Sequence, residues 1–416
     1  MIVVVGGGIT GLTLGLELQR RGADYTVLEA SDRPGGVIRS REVEGRILDW
    51  GPQRARLTAA VSDLVDEVGL RDEIIPAAPD LDLFVYRGGR LRTVPFSAGA
   101  FLTSDVVGFA AKLRLMWEPF TRGADPAESV ADYFRRKLGR EVYETLVAPL
   151  YGGLYASDPA DMRVGLSLLH VLREFRVRRS MLLPLLRRGG RIRPPTACTF
   201  RRGMESLPRA IARELGGHLR TSSPVRRLER SGRTWRVHLD GEVIEAANVV
   251  LTTPAPVAAE LLGPSAPDAA AIVGTLRYNP LAVVHLEADT PLRGLGFQVA
   301  FTEALTLRGV TFNDSLFGRR KLYTAYLGGA RHPEVAGMDD STVADLAVAE
   351  FRECTGYAAR PLAVAHERMP AWDISWSALA GLSLPDGIHV AANWWSRPGL
   401  PGRIAEARRI ACALGA

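Results

Sequence analysis

The first thirty residues constrain this chain more than any other stretch. An apolar run, Ile2-Val3-Val4-Val5, passes straight into Gly6-Gly7-Gly8-Ile9-Thr10-Gly11 and then into Leu12 to Arg21, where apolar residues fall at helical spacing. A stop at Gly22 precedes a second run, Tyr25-Thr26-Val27-Leu28-Glu29. Strand, glycine turn, helix and strand make a βαβ unit. In such a unit Gly6 makes the tight turn, Gly8 lets the backbone approach a pyrophosphate, and Gly11 lets helix and sheet pack closely. The helix N-terminus then presents unsatisfied N–H groups and the positive end of its dipole to phosphates. Glu29, closing the second strand, is placed to accept hydrogen bonds from ribose hydroxyls and would repel a 2′-phosphate. A glycine turn that binds nothing is the plain alternative; strand, helix and acid together argue against it.

The continuation separates two dinucleotides. Arg33 is followed by the pair Gly35-Gly36, a second backbone cradle with a cation near the pyrophosphate, which NAD enzymes do not need. FAD is therefore the expected cofactor, in an α/β protein with a discontinuous Rossmann-like FAD-binding domain, a mixed-sheet substrate domain and a helical insertion.

At 416 residues the chain is too long for one hydrophobic core and should form two or three lobes. No uninterrupted stretch of about 18 apolar residues, the length needed to span a bilayer, appears in the sequence. The N-terminus has neither a basic segment nor a small-residue cleavage site, so a cytoplasmic location is expected. Cys198, Cys354 and Cys412 share no CxxC spacing, which argues against a zinc site or a disulfide framework. The formal charge is +6, and only Lys112, Lys137 and Lys321 among the 52 basic residues are lysines. An arginine excess points to acidic small molecules, anionic lipid or nucleic acid, because guanidinium grips carboxylate and phosphate in bidentate fashion.

Further along, 59–75 reads as helix, and Leu83-Phe84-Val85-Tyr86 with Leu91 to Pro95 as a hairpin turning at Gly88-Gly89. Helical periodicity dominates from about 98 to 195. Strands return over 218–252, and again at 281–287, 295–301, 307–313 and 322–328, before a helix near 341–354. A last strand at Ile388 to Ala392 precedes a final helix from about 402 to 414. The expected domains are 1–75, 200–275 and 385–416 for FAD, 76–90 and 276–384 for substrate, and 91–199 as a helical domain with a candidate membrane surface.

Several short blocks, in order, carry a resemblance. They are Asp49-Trp50-Gly51-Pro52; Phe84-Val85-Tyr86-Arg87-Gly88-Gly89-Arg90-Leu91; Ala148-Pro149-Leu150-Tyr151-Gly152-Gly153-Leu154-Tyr155-Ala156-Ser157-Asp158-Pro159; and Gly294-Leu295-Gly296-Phe297 with Leu327-Gly328-Gly329. Together they resemble the protoporphyrinogen oxidase family, FAD enzymes of the amine oxidase superfamily that oxidise porphyrinogens in haem biosynthesis. The resemblance implies FAD contacts at Gly51, Pro52, Val225, Trp372, Asn393 and Leu400. It also implies a glycine-bearing loop at Gly153 near the reacting carbon, with Leu83 and Leu154 at the substrate. Two positions depart from the family: Ala392 stands where glycine normally precedes Asn393, and Leu83 where eukaryotic members carry an arginine for a substrate propionate.

The implied reaction is oxidation of protoporphyrinogen IX or coproporphyrinogen III, hydride passing to flavin N5 and electrons then to oxygen. It needs an apolar slot and cations for propionates; no nucleophile or metal is called for. His170, His285, His332 and His366 stand singly and read as structural. The arginines between Arg173 and Arg193 interleave with Met181 to Leu186. Arg176 and Arg179 are favoured over Arg87 and Arg90 of the hairpin as propionate partners, with acidic lipid and a merely solvated face as the other readings. Nucleic acid is disfavoured, since no aromatic interleaving accompanies them. Two other functions stay open: an amine oxidase or carotenoid desaturase relative, and a porphyrin-binding homologue without catalysis, suggested by Ala392.

Overall fold

The computed structural model describes residues 1–187 and 196–415, so Arg188, Arg191 and Arg193 of the arginine run lie outside the described residues. Two compact units divide the chain. The first takes residues 1–77, 196–276 and 378–415, and the second 78–187 and 277–377. The helical stretch and the larger mixed sheet thus share one unit.

The first unit is built on a five-stranded parallel sheet in the order Leu219–Arg220, Tyr25–Leu28, Ile2–Val5, Asn248–Leu251, Ile388–Val390. Val3, Val4, Val27, Val249, Val250 and Leu251 are fully buried. A parallel strand covered on both faces needs apolar residues throughout, which is why Ile2–Val5 and the Val249-Val250-Leu251 stretch read as unbroken apolar runs. Helices Ile9–Arg20, Ser206–Leu215 and Leu400–Leu414 share one core with the sheet, through Leu12, Leu16, Ile211, Ile404 and Ala407. Gly11 is required there: a Cβ on it would stand 1.9 Å from the Gly6 carbonyl oxygen. A three-stranded antiparallel sheet, Arg227–Ser231, Thr234–His238 and Val243–Ala246, interrupts the parallel order.

The second unit contains a seven-stranded mixed sheet. Its order is Ala359–Pro370, Tyr278–Ala288, Leu322–Gly328, Leu307–Phe312, Gly296–Val299, Leu83–Arg87, Arg90–Thr93, antiparallel except for the pairing of Gly296–Val299 with Leu83–Arg87. Alternation along Leu83–Arg87 divides its contacts. Leu83 and Val85 pack with the helical stretch, while Phe84 and Tyr86 pack with the core that holds Val343, Ala347 and Phe351 of helix Asp340–Thr355.

The segment expected as a glycine-bearing loop is corrected by the structure. Ala148–Tyr155 is a helix that continues a wider helical turn at Tyr143–Val147, and Gly152 and Gly153 lie inside it. Pro149 follows directly on the wider turn, at the second residue of the segment. Burial of Ala148, Pro149, Gly152 and Tyr155 outweighs the poor helix propensity of two glycines. The helix ends at Ala156, which is left-handed with φ 51°. No helix among the described residues is long and apolar enough to cross a membrane.

Candidate active site

In the first unit, the C-terminal ends of the parallel strands gather most of the residues expected to hold a dinucleotide. Gly6 has φ +110°, and a Cβ there would approach the Thr252 hydroxyl at 2.7 Å. Gly8 precedes the helix, and a Cβ on it would meet nothing within 4 Å. No side chain caps that helix and no acid lies in its first turn, so its first N–H groups and positive dipole end remain available to an anion. Beside the turn, the Thr253 hydroxyl is buried without a partner among the described residues. An open glycine, an uncapped helix start and an orphaned hydroxyl fit a bound pyrophosphate.

Glu29 is held ready by its own chain. One carboxylate oxygen accepts from the Gly7 N–H at 2.6 Å, and the other from the Ser31 N–H and hydroxyl at 2.8 and 2.7 Å. The loop holding Val225 is tied to the same place, because the Ser222 and Ser223 N–H groups donate to the Ser31 and Glu29 carbonyls at 2.7 and 2.9 Å. Arg33 turns back on its own loop and donates to the Gly36 carbonyl at 2.9 Å. Gly35 and Gly8 face each other across a parallel bridge, and the Gly35 N–H donates to the Gly7 carbonyl at 2.8 Å. Gly51, with φ +82°, lies so close to Val37 that a Cβ would stand 2.4 Å from its carbonyl oxygen, and Pro52 follows it. At the other end of the chain, Asn393 lies in the turn before Leu400, the first residue of the last helix. Arg403 fastens that turn by donating to the carbonyls of Ala392, Asn393 and Ser396 at 2.9 to 3.0 Å.

The second unit brings a different set together. Gly153 is exposed on its helix, and a Cβ there would stand 2.7 Å from Gln298 Oε1; a Cβ on Gly152 would stand 2.9 Å from the Phe301 ring. Just past the helix, Ser157 donates to the Ala371 carbonyl at 2.6 Å, and the Asn279 amide donates to Ala156 O and Ser157 Oγ at 3.0 and 2.8 Å. These bonds place Gly153 and Trp372 in one neighbourhood. Trp372, left-handed at φ 51°, stacks on Trp376 with centroids 5.4 Å apart. Leu83 is half-buried and Leu154 exposed. Arg176 and Arg179 are both exposed, and Arg179 donates to the carbonyls of Phe120 and Thr121 at 3.1 and 3.2 Å.

The description "flavin containing amine oxidoreductase" matches residues 9–413. The chain belongs to that family. Among curated relatives this family member is 30% identical over 395 residues to chloroplastic protoporphyrinogen oxidase 1 of Spinacia oleracea, covering 84% of this chain and 70% of the relative. It is likewise 30% identical over 352 residues to protoporphyrinogen oxidase of Homo sapiens, covering 76% and 73%. A structure from Exiguobacterium with a provisional protoporphyrinogen oxidase name shares the fold at TM-score 0.82 and 21% identity, over 100% of this chain and 98% of that one. Putrescine oxidase bound to putrescine does so at TM-score 0.73 and 16% identity, over 99% and 98%. This flavin amine oxidoreductase is therefore an FAD-dependent oxidoreductase with the mixed α/β fold that its sequence implied.

Sequence reasoning missed Thr253, Gln298, Phe301, Arg308 and Arg331. A hydroxyl pair directly after an apolar strand, Thr252-Thr253, was the available signal for the first. The arginines carried none, being single cations among 52 basic residues.

Proposed function

We propose that this flavoprotein oxidises a porphyrinogen, protoporphyrinogen IX or coproporphyrinogen III, to the porphyrin, with oxygen as the final electron acceptor. The observation that carries this reading is the extent of the likeness: 84% of the chain aligns with the spinach protoporphyrinogen oxidase at 30% identity. FAD, when bound, supplies the hydride acceptor for the methylene bridge of the macrocycle. The chain's part is to hold and orient. Gly6, Gly8, Gly11, Gly35 and Gly36 give the pyrophosphate a backbone cradle, with Arg33 bracing the loop and Glu29 taking the ribose hydroxyls. Gly51, Pro52, Val225, Trp372, Asn393 and Leu400 complete the flavin contacts. Gly153 keeps a side chain out of the substrate slot, which Leu83 and Leu154 line.

Anaerobic mixing with each porphyrinogen tests this directly. Loss of the oxidised flavin absorbance with either one is the expected result. Bleaching by putrescine and by neither porphyrinogen would overturn it in favour of amine oxidation.

A specific surface favours peripheral membrane contact as well. Phe109, Met116, Trp117 and Phe120, 66 to 75% exposed, recur at helical spacing through helix Phe109–Leu115 and the turn after it. Arg179 is tied to the carbonyls of Phe120 and Thr121, and Arg176 and Arg178 are exposed in the same segment. An apolar stripe flanked by arginine suits an anionic lipid surface.

A further inference from the structure

Two arginines in the second unit converge on one aromatic ring. The guanidinium carbon of Arg308 lies 4.8 Å from the Phe301 centroid, and that of Arg331 lies 4.4 Å from it. Among the described residues neither guanidinium has an ion pair or a hydrogen bond, and Arg331 Nη1 is buried without a partner. The acids whose charge reaches Arg308 are Asp158 and Glu350, and both are engaged elsewhere. Glu350 accepts from the Thr306 and Leu307 N–H groups at 3.1 and 2.6 Å, and Asp158 from the Ala160 N–H at 2.9 Å. Burial pushes the Arg308 guanidinium down to about 10, and the charge of Arg331 acts in the same direction. Two neighbouring cations withdrawn from water repel each other, and the cation–π contacts offset only part of that cost. An anion within reach of both would offset the repulsion and satisfy the idle donors.

The location gives the anion its identity. Phe301, which both guanidiniums face, is the ring that a Cβ on Gly152 would strike at 2.9 Å. Gln298 lies within 3.0 Å of where Gly153 and Gly309 would each carry a Cβ, and Arg308 immediately precedes Gly309. The pair therefore belongs to the same neighbourhood as the Gly152-Gly153 helix. Leu83 leaves the substrate hairpin without its customary cation, and planar guanidiniums match a carboxylate in bidentate geometry.

We propose that Arg308 and Arg331 form a carboxylate clamp that receives one propionate of the substrate. The identity of that carboxylate rests on the porphyrinogen reading above. The test is equilibrium binding to the FAD-loaded protein of coproporphyrin III, protoporphyrin IX and protoporphyrin IX dimethyl ester, followed by porphyrin fluorescence. The wild type is expected to prefer the free acids over the ester. Arg308→Gln and Arg331→Gln should each weaken acid binding roughly tenfold while leaving the ester unchanged. Arg331→Lys, which keeps the charge, should recover part of the loss. Flavin content and melting temperature of each variant report whether it has folded. A wild type that binds acid and ester equally overturns the clamp without recourse to any variant. So do folded Gln variants that keep the acid preference, and in both cases the porphyrinogen reading stands. Binding of neither acid nor ester overturns that reading, and the clamp with it.

Discussion

Lys137 Nζ lies 3.3 Å from a Glu118 carboxylate oxygen, and both side chains are fully excluded from solvent. Glu118 also accepts from the Ser180 hydroxyl at 2.5 Å and the Met181 N–H at 2.9 Å, while Lys137 donates to the Arg179 carbonyl. The pair thereby fixes the start of the basic segment against helix Val130–Leu138. Burial pushes the Lys137 ammonium down, against the pull of Glu118. Removing one partner strands the other, so Lys137→Met or Glu118→Gln should each cost about 3 kcal/mol. Lys137→Met combined with Glu118→Gln should cost less than the two single changes added together. Urea unfolding of the four proteins gives the coupling; strict additivity would show that the charges do not interact.

Glu29 is oriented before any ligand arrives, so its removal should act on affinity more than on folding. Glu29→Ala is expected to purify with less FAD and to regain it only at higher added FAD, while its fold is kept. The flavin-to-protein absorbance ratio and a FAD titration check this. Wild-type retention would leave the carboxylate as a brace for the Gly7 and Ser31 backbone alone.

At Gly153 the obstacle to a side chain is Gln298. Gly153→Val should cut turnover strongly with FAD still bound. Adding Gln298→Ala, which removes the atom 2.7 Å from the new Cβ, should restore part of the rate if displacement of Gln298 is the cause. Failure of that rescue would mean that the valine itself occupies substrate space. Undiminished turnover in Gly153→Val would remove the residue from the substrate slot.

His389 bonds to Asn248 at 3.0 Å, and burial, helped by the charge of Arg409, holds its imidazole below the ordinary value of 6.5. The unfolded chain therefore takes up the proton first. Stability should fall as pH drops from about 6.5 toward the depressed folded value, and this contribution should be level above 6.5. Melting temperatures across that range should decline less steeply in His389→Gln than in the wild type.

The apolar stripe predicts a measurable lipid preference. Phe109→Ser, Trp117→Ser and Phe120→Ser together should reduce cosedimentation with vesicles containing anionic lipid and leave porphyrinogen oxidation in detergent-free buffer intact. Equal recovery of wild type and variant with vesicles would count against the membrane reading.

The central parallel strands were legible because burial turns them into apolar runs, and Leu307–Phe312 and Leu322–Gly328 because the turns around them are clear. The hairpin Arg39–Val43 with Arg46–Trp50 was missed, since its first strand is polar and nowhere fully buried; Glu44-Gly45, both at positive φ, was its one signal. Ala359–Pro370 carries Pro361 and Pro370, which argue against a central strand, and it lies at the sheet edge where proline is tolerated. The glycine positions around the first turn followed from local geometry. Nothing local could bring Arg308, Arg331 and Phe301 together, because their meeting depends on strand pairing and side-chain packing between segments distant along the chain.

The chain order of the parallel sheet has a consequence for biosynthesis. Ile2–Val5 lies at its centre, yet its neighbour Asn248–Leu251 and the outer strand Ile388–Val390 are made much later. Helix Ile9–Arg20 shares its core with Leu400–Leu414, and Arg408 reaches Glu17 and Glu67 at 3.0 Å. A ribosome that has finished the glycine turn therefore holds a segment whose core is filled only in stages, by Ser206–Leu215, then Asn248–Leu251, and last by Leu400–Leu414. Such a chain should fold after synthesis rather than during it, and it should depend on holdase chaperones in proportion to the delay.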